Sequence, residues 1–273
     1  NSGHKPVILT RGYGRKDATA ALALLPGESA PVEQTGEEAQ LFLKAGHAAV
    51  GVGADRIEAF DALTRRIQPD AVLLDDGFQH WRIRRDLDIV LIDAIDSYRG
   101  GVFPMGNLRE PFRALSRAGA VVISRADPRR EYAGLRRLVR QFSVSAPIFT
   151  ARIDGELPVT LRGAAGAFCG IGQPEAFART LRDLGVQVSF FECFTDHHLY
   201  TEAELRDLSR RAGTLLTTEK DLMNIPPALA AELNIHAVRI RLIIEDEAAL
   251  LALVESRLRR PGRAEAPGAE AGS

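Results

Sequence analysis

Ala71-Val72-Leu73-Leu74-Asp75-Asp76-Gly77-Phe78-Gln79-His80 is an apolar run that ends abruptly in two adjacent carboxylates and a glycine. A short apolar run closed in this way reads as a buried parallel strand, and open α/β sheets place their ligands beyond the carboxyl ends of such strands. Paired acids at that position suit a Mg²⁺-nucleotide. Gly77 allows a tight turn, which brings Gln79 and His80 into the same crevice.

Outward from this stretch, apolar and β-branched runs recur with helix-like segments between them. They fall at Pro6–Thr10, Ala48–Val52, Leu87–Ile92, Ala120–Ser124 and Pro147–Ile153, and strands alternating with helices predict a parallel, doubly wound sheet. After the hydrophilic stretch Asp154–Gly163 a second series follows at Ala165–Cys169, Gln187–Phe191, Thr214–Thr218 and His236–Ile244. The fold class expected is therefore α/β with mostly parallel sheets in two domains: 1–150, carrying the nucleotide and metal site, and 151–258. A final helix is expected over Glu245–Leu258, acidic at its start and basic at its end as the helix dipole prefers. The Pro/Gly/Ala/Glu-rich 259–273 reads as a disordered tail.

Composition narrows the function. At 273 residues and 45% hydrophobic content the chain can bury two cores of ordinary size. Lys+Arg 35 against Asp+Glu 36 leaves a formal charge of -1, so there is no global basic field for nucleic acid, and any anion site is local. Lys5, Lys16, Lys44 and Lys220 are the only lysines; the remaining positive charge is arginine, whose planar fork suits phosphate, although high-GC coding yields the same bias. Cys169 and Cys193 are too few and scattered for a disulfide framework or zinc site and read as core thiols. No stretch approaches the roughly 20 apolar residues of a membrane span.

Several motifs could carry chemistry. Asp75 and Asp76 resemble a Walker B arrangement, in which a carboxylate holds Mg²⁺ directly or through water; the alternative is that they cap a helix or pair with Arg82, Arg84 or Arg85. Thr10-Arg11-Gly12-Tyr13-Gly14-Arg15-Lys16 is either an anion loop or an ordinary turn with solvated arginines. Gly36-Glu37-Glu38 places paired acids before the helix-like Ala39–Ala45, as base and metal partner or as helix N-terminal charges. Leu108-Arg109-Glu110-Pro111, after the Arg99-Gly100-Gly101 loop, offers an arginine and a carboxylate. Phe194-Thr195-Asp196-His197-His198-Leu199-Tyr200 concentrates an acid and two imidazoles. Thr217-Thr218-Glu219-Lys220-Asp221 ends another strand, and Phe168-Cys169-Gly170-Ile171-Gly172-Gln173-Pro174 reads as tight strand-to-helix packing.

Taken in order, T-R-G-Y-G-R-K, G-E-E, G-A-D-R, D-D-G-F-Q-H, L-R-E-P, F-C-G-I-G-Q-P, D-H-H-x-Y and T-T-E-K-D resemble the tetraacyldisaccharide 4'-kinase family of lipid A biosynthesis. The resemblance implies ATP-dependent phosphorylation of the 4'-hydroxyl of a tetraacylated glucosamine disaccharide 1-phosphate, giving lipid IVA. It also implies two α/β/α domains of P-loop NTPase type joined by a hinge, ATP and Mg²⁺ as cofactors, and a monomer. The location implied is cytoplasmic, peripheral at the inner-membrane surface of a Gram-negative bacterium. By the same resemblance Asp75 and Asp76 act at Mg²⁺ and the nucleotide with Gln79 and His80 beside them. Glu38, Arg109 and Glu110 line the crevice, Arg11 and Tyr13 lie near the lipid phosphate, and His197 reaches in from the second domain.

Two departures qualify the activity expected. Family members begin with a membrane-associating helix and a Gly-rich P-loop ending in Gly-Lys-Thr, whereas no lysine here stands in a G-x-x-x-x-G-K-[ST] context, so these residues alone are expected to be an impaired kinase. Where the family reads Gly-Asp-Glu-Pro with the aspartate as base, this chain has Gly36-Glu37-Glu38-Ala39; Glu37 can accept the proton, with its carboxylate moved by about a bond length. Two other readings stand beside the kinase. One is a lipid- or nucleotide-binding remnant without turnover. The other, from Asp196-His197-His198, is a DHH-type metal-dependent phosphoesterase, which needs further aspartates for a two-metal site.

Overall fold

The computed structural model describes residues 3–16, 20–95, 101–102, 105–106 and 108–258. The expected tail 259–273, and Arg99, Gly100 and Pro104 near the L-R-E-P motif, lie outside them. Eleven strands occur among the described residues: β1 (Pro6–Thr10), β2 (Leu22–Leu24), β3 (Ala49–Val52), β4 (Ala71–Leu74), β5 (Ile89–Asp93), β6 (Ala120–Ser124), β7 (Ile148–Glu156), β8 (Ala165–Cys169), β9 (Val188–Cys193), β10 (Leu215–Thr218) and β11 (Ile235–Ile244). The helices are α1 (Val32–Thr35), α2 (Glu37–Ala45), α3 (Arg56–Thr64), α4 (Ala133–Phe142), α5 (Pro174–Asp183), α6 (Glu202–Arg211), α7 (Glu219–Met223), α8 (Pro227–Glu232) and α9 (Glu247–Leu258).

The chain forms two compact units: residues up to Ile83 together with Arg152–Ile243, and Arg84–Ala151 together with the stretch from Ile244. The division into 1–150 and 151–258 partitions the chain by sequence order rather than by contact, and we keep it as a proposal.

In the first unit one sheet has the order β2-β3-β1-β4. Strands β3 and β4 run parallel to β1, and the three-residue edge strand β2 runs antiparallel to β3. Side chains alternate across this sheet as the two-residue period requires. Val7, Leu9 and Ala49 face Ala59 and Leu63 of α3, whereas Val50 and Val52 face Ala39 of α2. Strands β8–β11 of the same unit pair in parallel in the order β11-β10-β8-β9. Phe168 and Leu215 pack with Leu205 and Leu208 of α6, and Ala167, Cys169 and Leu216 with Phe177 and Leu181 of α5. Pro174 opens α5, where a missing N–H costs nothing, and a reciprocal Thr201–Glu204 capping box opens α6.

In the second unit β5, β6 and β7 are parallel neighbours. One face packs on Leu135 and Val139 of α4, and the other, with Val122 and Phe149, on Leu250 of α9.

The α/β class with mostly parallel pairing is as expected, and most strand positions agree within a residue or two. Four details differ. Strand β4 was read as buried, yet Val72 and Leu73 are 47% and 53% exposed, because β4 pairs with β1 on one side only among the described residues. Strand β2 carried no signal, since three residues are too few to show a period. Helix α2 begins at Glu37, two residues before the expected Ala39, and so takes both acids into its first turn. Of the two expected core thiols only Cys169 is buried; Cys193 is exposed at the end of β9. Burial pushes the Cys169 thiol up to about 12.

Candidate active site

The first unit gathers two groups of polar side chains, both at strand ends. At the end of β4 the Asp75 N–H donates to the Leu9 carbonyl, and the buried Thr10 hydroxyl donates to Asp75 Oδ2 at 2.8 Å. Asp75 is half-buried; Asp76 is exposed and sits at φ 50°. A positive φ is strained for any residue but glycine, and such strain persists where the surroundings dictate it, often at functional sites. Of the arginines proposed as partners, Arg82 bonds Asp55 at 2.7 Å and Arg85 bonds Asp88 at 2.6 Å. Gln79 is exposed and His80 half-buried, the His80 N–H donating to the Gly77 carbonyl.

Arg56, at the first position of α3, completes this group, and the sequence reading had quoted it only within G-A-D-R. It is almost fully buried, its Nη1 donates to the Gly53 and Ala54 carbonyls at 3.2 Å, and its Nε has no partner among the described residues. Burial lowers its pKa most, Arg11 adds to that, and Asp75, Asp76 and Asp55 oppose it. Arg56 thus feels one arginine and three carboxylates, and it carries an orphaned buried donor. That donor set fits a metal-bound polyphosphate: acids for the cation, guanidinium groups for the anion. No group of three or more His, Cys, Asp or Glu side chains that could hold a metal occurs among the described residues. Mg²⁺ does not need one, because it is usually held by one or two carboxylates together with phosphates and water.

The second group is built around Glu37. Gly12 (φ 68°) and Gly36 (φ 79°) meet backbone to backbone: a Cβ on Gly36 would lie 2.5 Å from the Tyr13 carbonyl oxygen, and one on Gly12 2.8 Å from that of Thr35. Only glycine permits this approach, which seats the Tyr13 loop against the first turn of α2. Glu37 Oε2 accepts from His197 Nδ1 at 2.9 Å and lies 3.2 Å from Lys220 Nζ, while Asn224 Nδ2 donates to Oε1 at 2.6 Å. Lys220 Nζ is also 3.4 Å from His197 Nε2 and 3.5 Å from an Asp196 oxygen. The Tyr13 and His197 rings lie 5.5 Å apart, and His197, like Asp76, has a positive φ, 60°. The Glu37 side chain is 12% exposed and that of His197 37%, so the pair is sheltered but reachable.

The structure therefore brings Glu37, Tyr13 and His197 together, and separately places Arg56 within electrostatic reach of Arg11, Asp75 and Asp76. Glu38 is exposed at the second position of α2. Arg109 and Glu110 belong to the second unit, where Glu110 pairs with Arg117 at 3.0 Å. Lys220 and Asn224 were missed as site residues. Lys220 had a signal in T-T-E-K-D, but Asn224 had none.

The family model for tetraacyldisaccharide-1-P 4'-kinase matches residues 1–259. The chain belongs to the tetraacyldisaccharide 4'-kinase family. It is 39% identical over 251 residues to the tetraacyldisaccharide 4'-kinase of Anaeromyxobacter dehalogenans (strain 2CP-C), covering 84% of this chain and 66% of that protein. To the enzyme of the same name from Afipia carboxidovorans it is 36% identical over 279 residues, covering 96% and 78%. The chain thus spans 66% and 78% of the length of these two relatives. The crystal structure of the "apo" form LpxK from Aquifex aeolicus in complex with ATP superposes with a TM-score of 0.69 at 28% identity, over 93% of this chain and 79% of that one.

Proposed function

We propose that this member of the tetraacyldisaccharide 4'-kinase family serves ATP-dependent phosphoryl transfer to the 4'-hydroxyl of tetraacyldisaccharide 1-phosphate, yielding lipid IVA. The observation that carries the reading is the 2.9 Å contact between Glu37 and His197, made by the two family motifs from which an acid–base pair is expected. Phosphoryl transfer asks little covalent chemistry of a protein; it needs positioned phosphates, charge neutralisation and a group to take the proton of the attacking hydroxyl.

Each need has a candidate. Asp75 and Asp76 would hold Mg²⁺, which would supply neutralisation of the phosphate charge. Arg56 and Arg11 would face the phosphates. A carboxylate opposite Nδ1 fixes the imidazole with its hydrogen on that nitrogen, so Glu37 and His197 act as one unit that draws the proton from the sugar hydroxyl. Glu38, Gln79 and His80 would contact the nucleotide at the rim, Tyr13, beside His197, would lie with Arg11 near the lipid phosphate, and Arg109 and Glu110 would contribute to binding the lipid substrate. We place the reaction at the cytoplasmic face of the inner membrane, where a tetraacylated substrate resides. Peripheral attachment is part of this proposal; no helix among the described residues is long and apolar enough to cross a membrane. The phosphoesterase reading loses ground, because the described residues show no cluster of acids and histidines able to hold two metals.

The test is transfer of the terminal ³²P of ATP to tetraacyldisaccharide 1-phosphate, run on these 273 residues and on the protein with whatever precedes them in its gene. A labelled bisphosphorylated lipid from either form supports the reading. Absence of product from both, with a curated relative active in the same assay, overturns it in favour of a binding protein.

A further inference from the structure

We propose that the corner between β10 and α7, Thr218–Asn224, is a positioning element that holds both members of the Glu37–His197 pair. The inference rests on the role given to that pair above, but concerns residues to which that role assigns nothing. Asp221 is 2% exposed, and a buried carboxylate is costly unless donors surround it. Here three do: the Gly170 N–H at 3.0 Å, the Tyr200 hydroxyl at 2.8 Å and the Thr218 hydroxyl at 2.6 Å. Burial and the neighbouring carboxylate both push the Tyr200 phenol upward, so it stays a donor.

Gly170 relays this anchor. Its N–H is bound to Asp221, and its carbonyl accepts the His197 N–H at 3.1 Å, holding the residue whose φ is 60°. There is little room to change the relay: a Cβ on Gly170 would lie 3.0 Å from both the Thr195 carbonyl and the Tyr200 hydroxyl. Three motifs, F-C-G, D-H-H-x-Y and T-T-E-K-D, thus converge on one carboxylate. From the same corner Lys220 and Asn224 reach the other partner, at 3.2 Å from Glu37 Oε2 and 2.6 Å from Glu37 Oε1. One short helix therefore fixes the backbone of the imidazole and the orientation of the carboxylate.

Two measurements test this, using Asn224→Ala and Tyr200→Phe, neither of which removes a large apolar group. The first is a double-mutant cycle on phosphoryl transfer. Asn224→Ala is expected to lower kcat by about ten- to a hundredfold with little change in KM for ATP, and to cost nothing further when Glu37 is already glutamine. Equal losses in both backgrounds would overturn the positioning role and leave a merely structural one. The second is amide hydrogen exchange, which needs no activity and so separates this inference from the kinase reading. Tyr200→Phe is expected to speed exchange at Gly170 and His197 while the interior of β8 keeps its protection. Unchanged exchange at His197, or an increase spread evenly over the unit, would overturn the inference even in an active kinase.

Discussion

At the end of β4, Asp75 and Asp76 stand in an open setting; at the start of α2, Glu37 is enclosed. Asp75 takes one hydroxyl, from Thr10, and its strand leaves Val72 and Leu73 exposed. Glu37 has both oxygens engaged, by His197 and Lys220 on one and Asn224 on the other. A carboxylate that must accept a metal and exchange its bound nucleotide needs open coordination positions, whereas one that handles a proton gains from a fixed geometry. The same compact unit thus holds a more open acid pair, which we propose meets the cation, and an enclosed acid, which we propose takes part in proton transfer.

The largest expected effect breaks the wired side. His197→Ala or Glu37→Gln is expected to lower kcat by on the order of 10²–10⁴ in steady-state phosphoryl transfer, as loss of a general base does. A smaller effect sharpens the open side. Thr10→Val removes the hydroxyl behind Asp75 and is expected to raise the Mg²⁺ concentration for half-maximal turnover about 10–100-fold, the usual consequence of losing an outer-shell partner. Third comes stability beneath the His197 loop: Leu205→Ala, fully buried in the α6 core, is expected to cost about 2–5 kcal/mol in urea unfolding. Thr201→Ala, which removes the cap of the same helix, is expected to cost only about 1 kcal/mol.

The smallest effect concerns the thiols flanking that loop. The thiolate is the reactive form, and Cys169, raised to about 12, stays protonated at mildly alkaline pH. Mass spectrometry after alkylation of the folded protein should therefore find label on the exposed Cys193 and none on Cys169 until the chain unfolds.

Much of this was legible in the sequence because runs such as Ala120–Ser124 and Ala165–Cys169 are apolar, continuous and closed by turn residues, the strongest local strand signal. Asp75, Asp76, Glu37 and His197 were singled out as candidates through motif order. Pairing and distance were not. The edge position of β4 depends on which strands lie beside it, and its own four residues look the same in either place. Asn224 was invisible because a single amide three residues past a motif has no pattern; only the fold carries it across 187 positions to Glu37. Arg56 was hidden for the same reason, as a guanidinium at a helix start is ordinary until its burial within reach of three carboxylates is known.

The division between the two acid sites is tested most directly by titrating Mg²⁺ against turnover in the Glu37→Gln variant of the active protein. If Asp75 and Asp76 hold the metal while Glu37 and His197 handle the proton, kcat falls by about a hundredfold or more and the Mg²⁺ concentration for half-maximal turnover stays where it is in the unmodified enzyme. A rise in that concentration of about tenfold or more, with kcat recovered at saturating Mg²⁺, would make Glu37 part of the metal site and contradict the account.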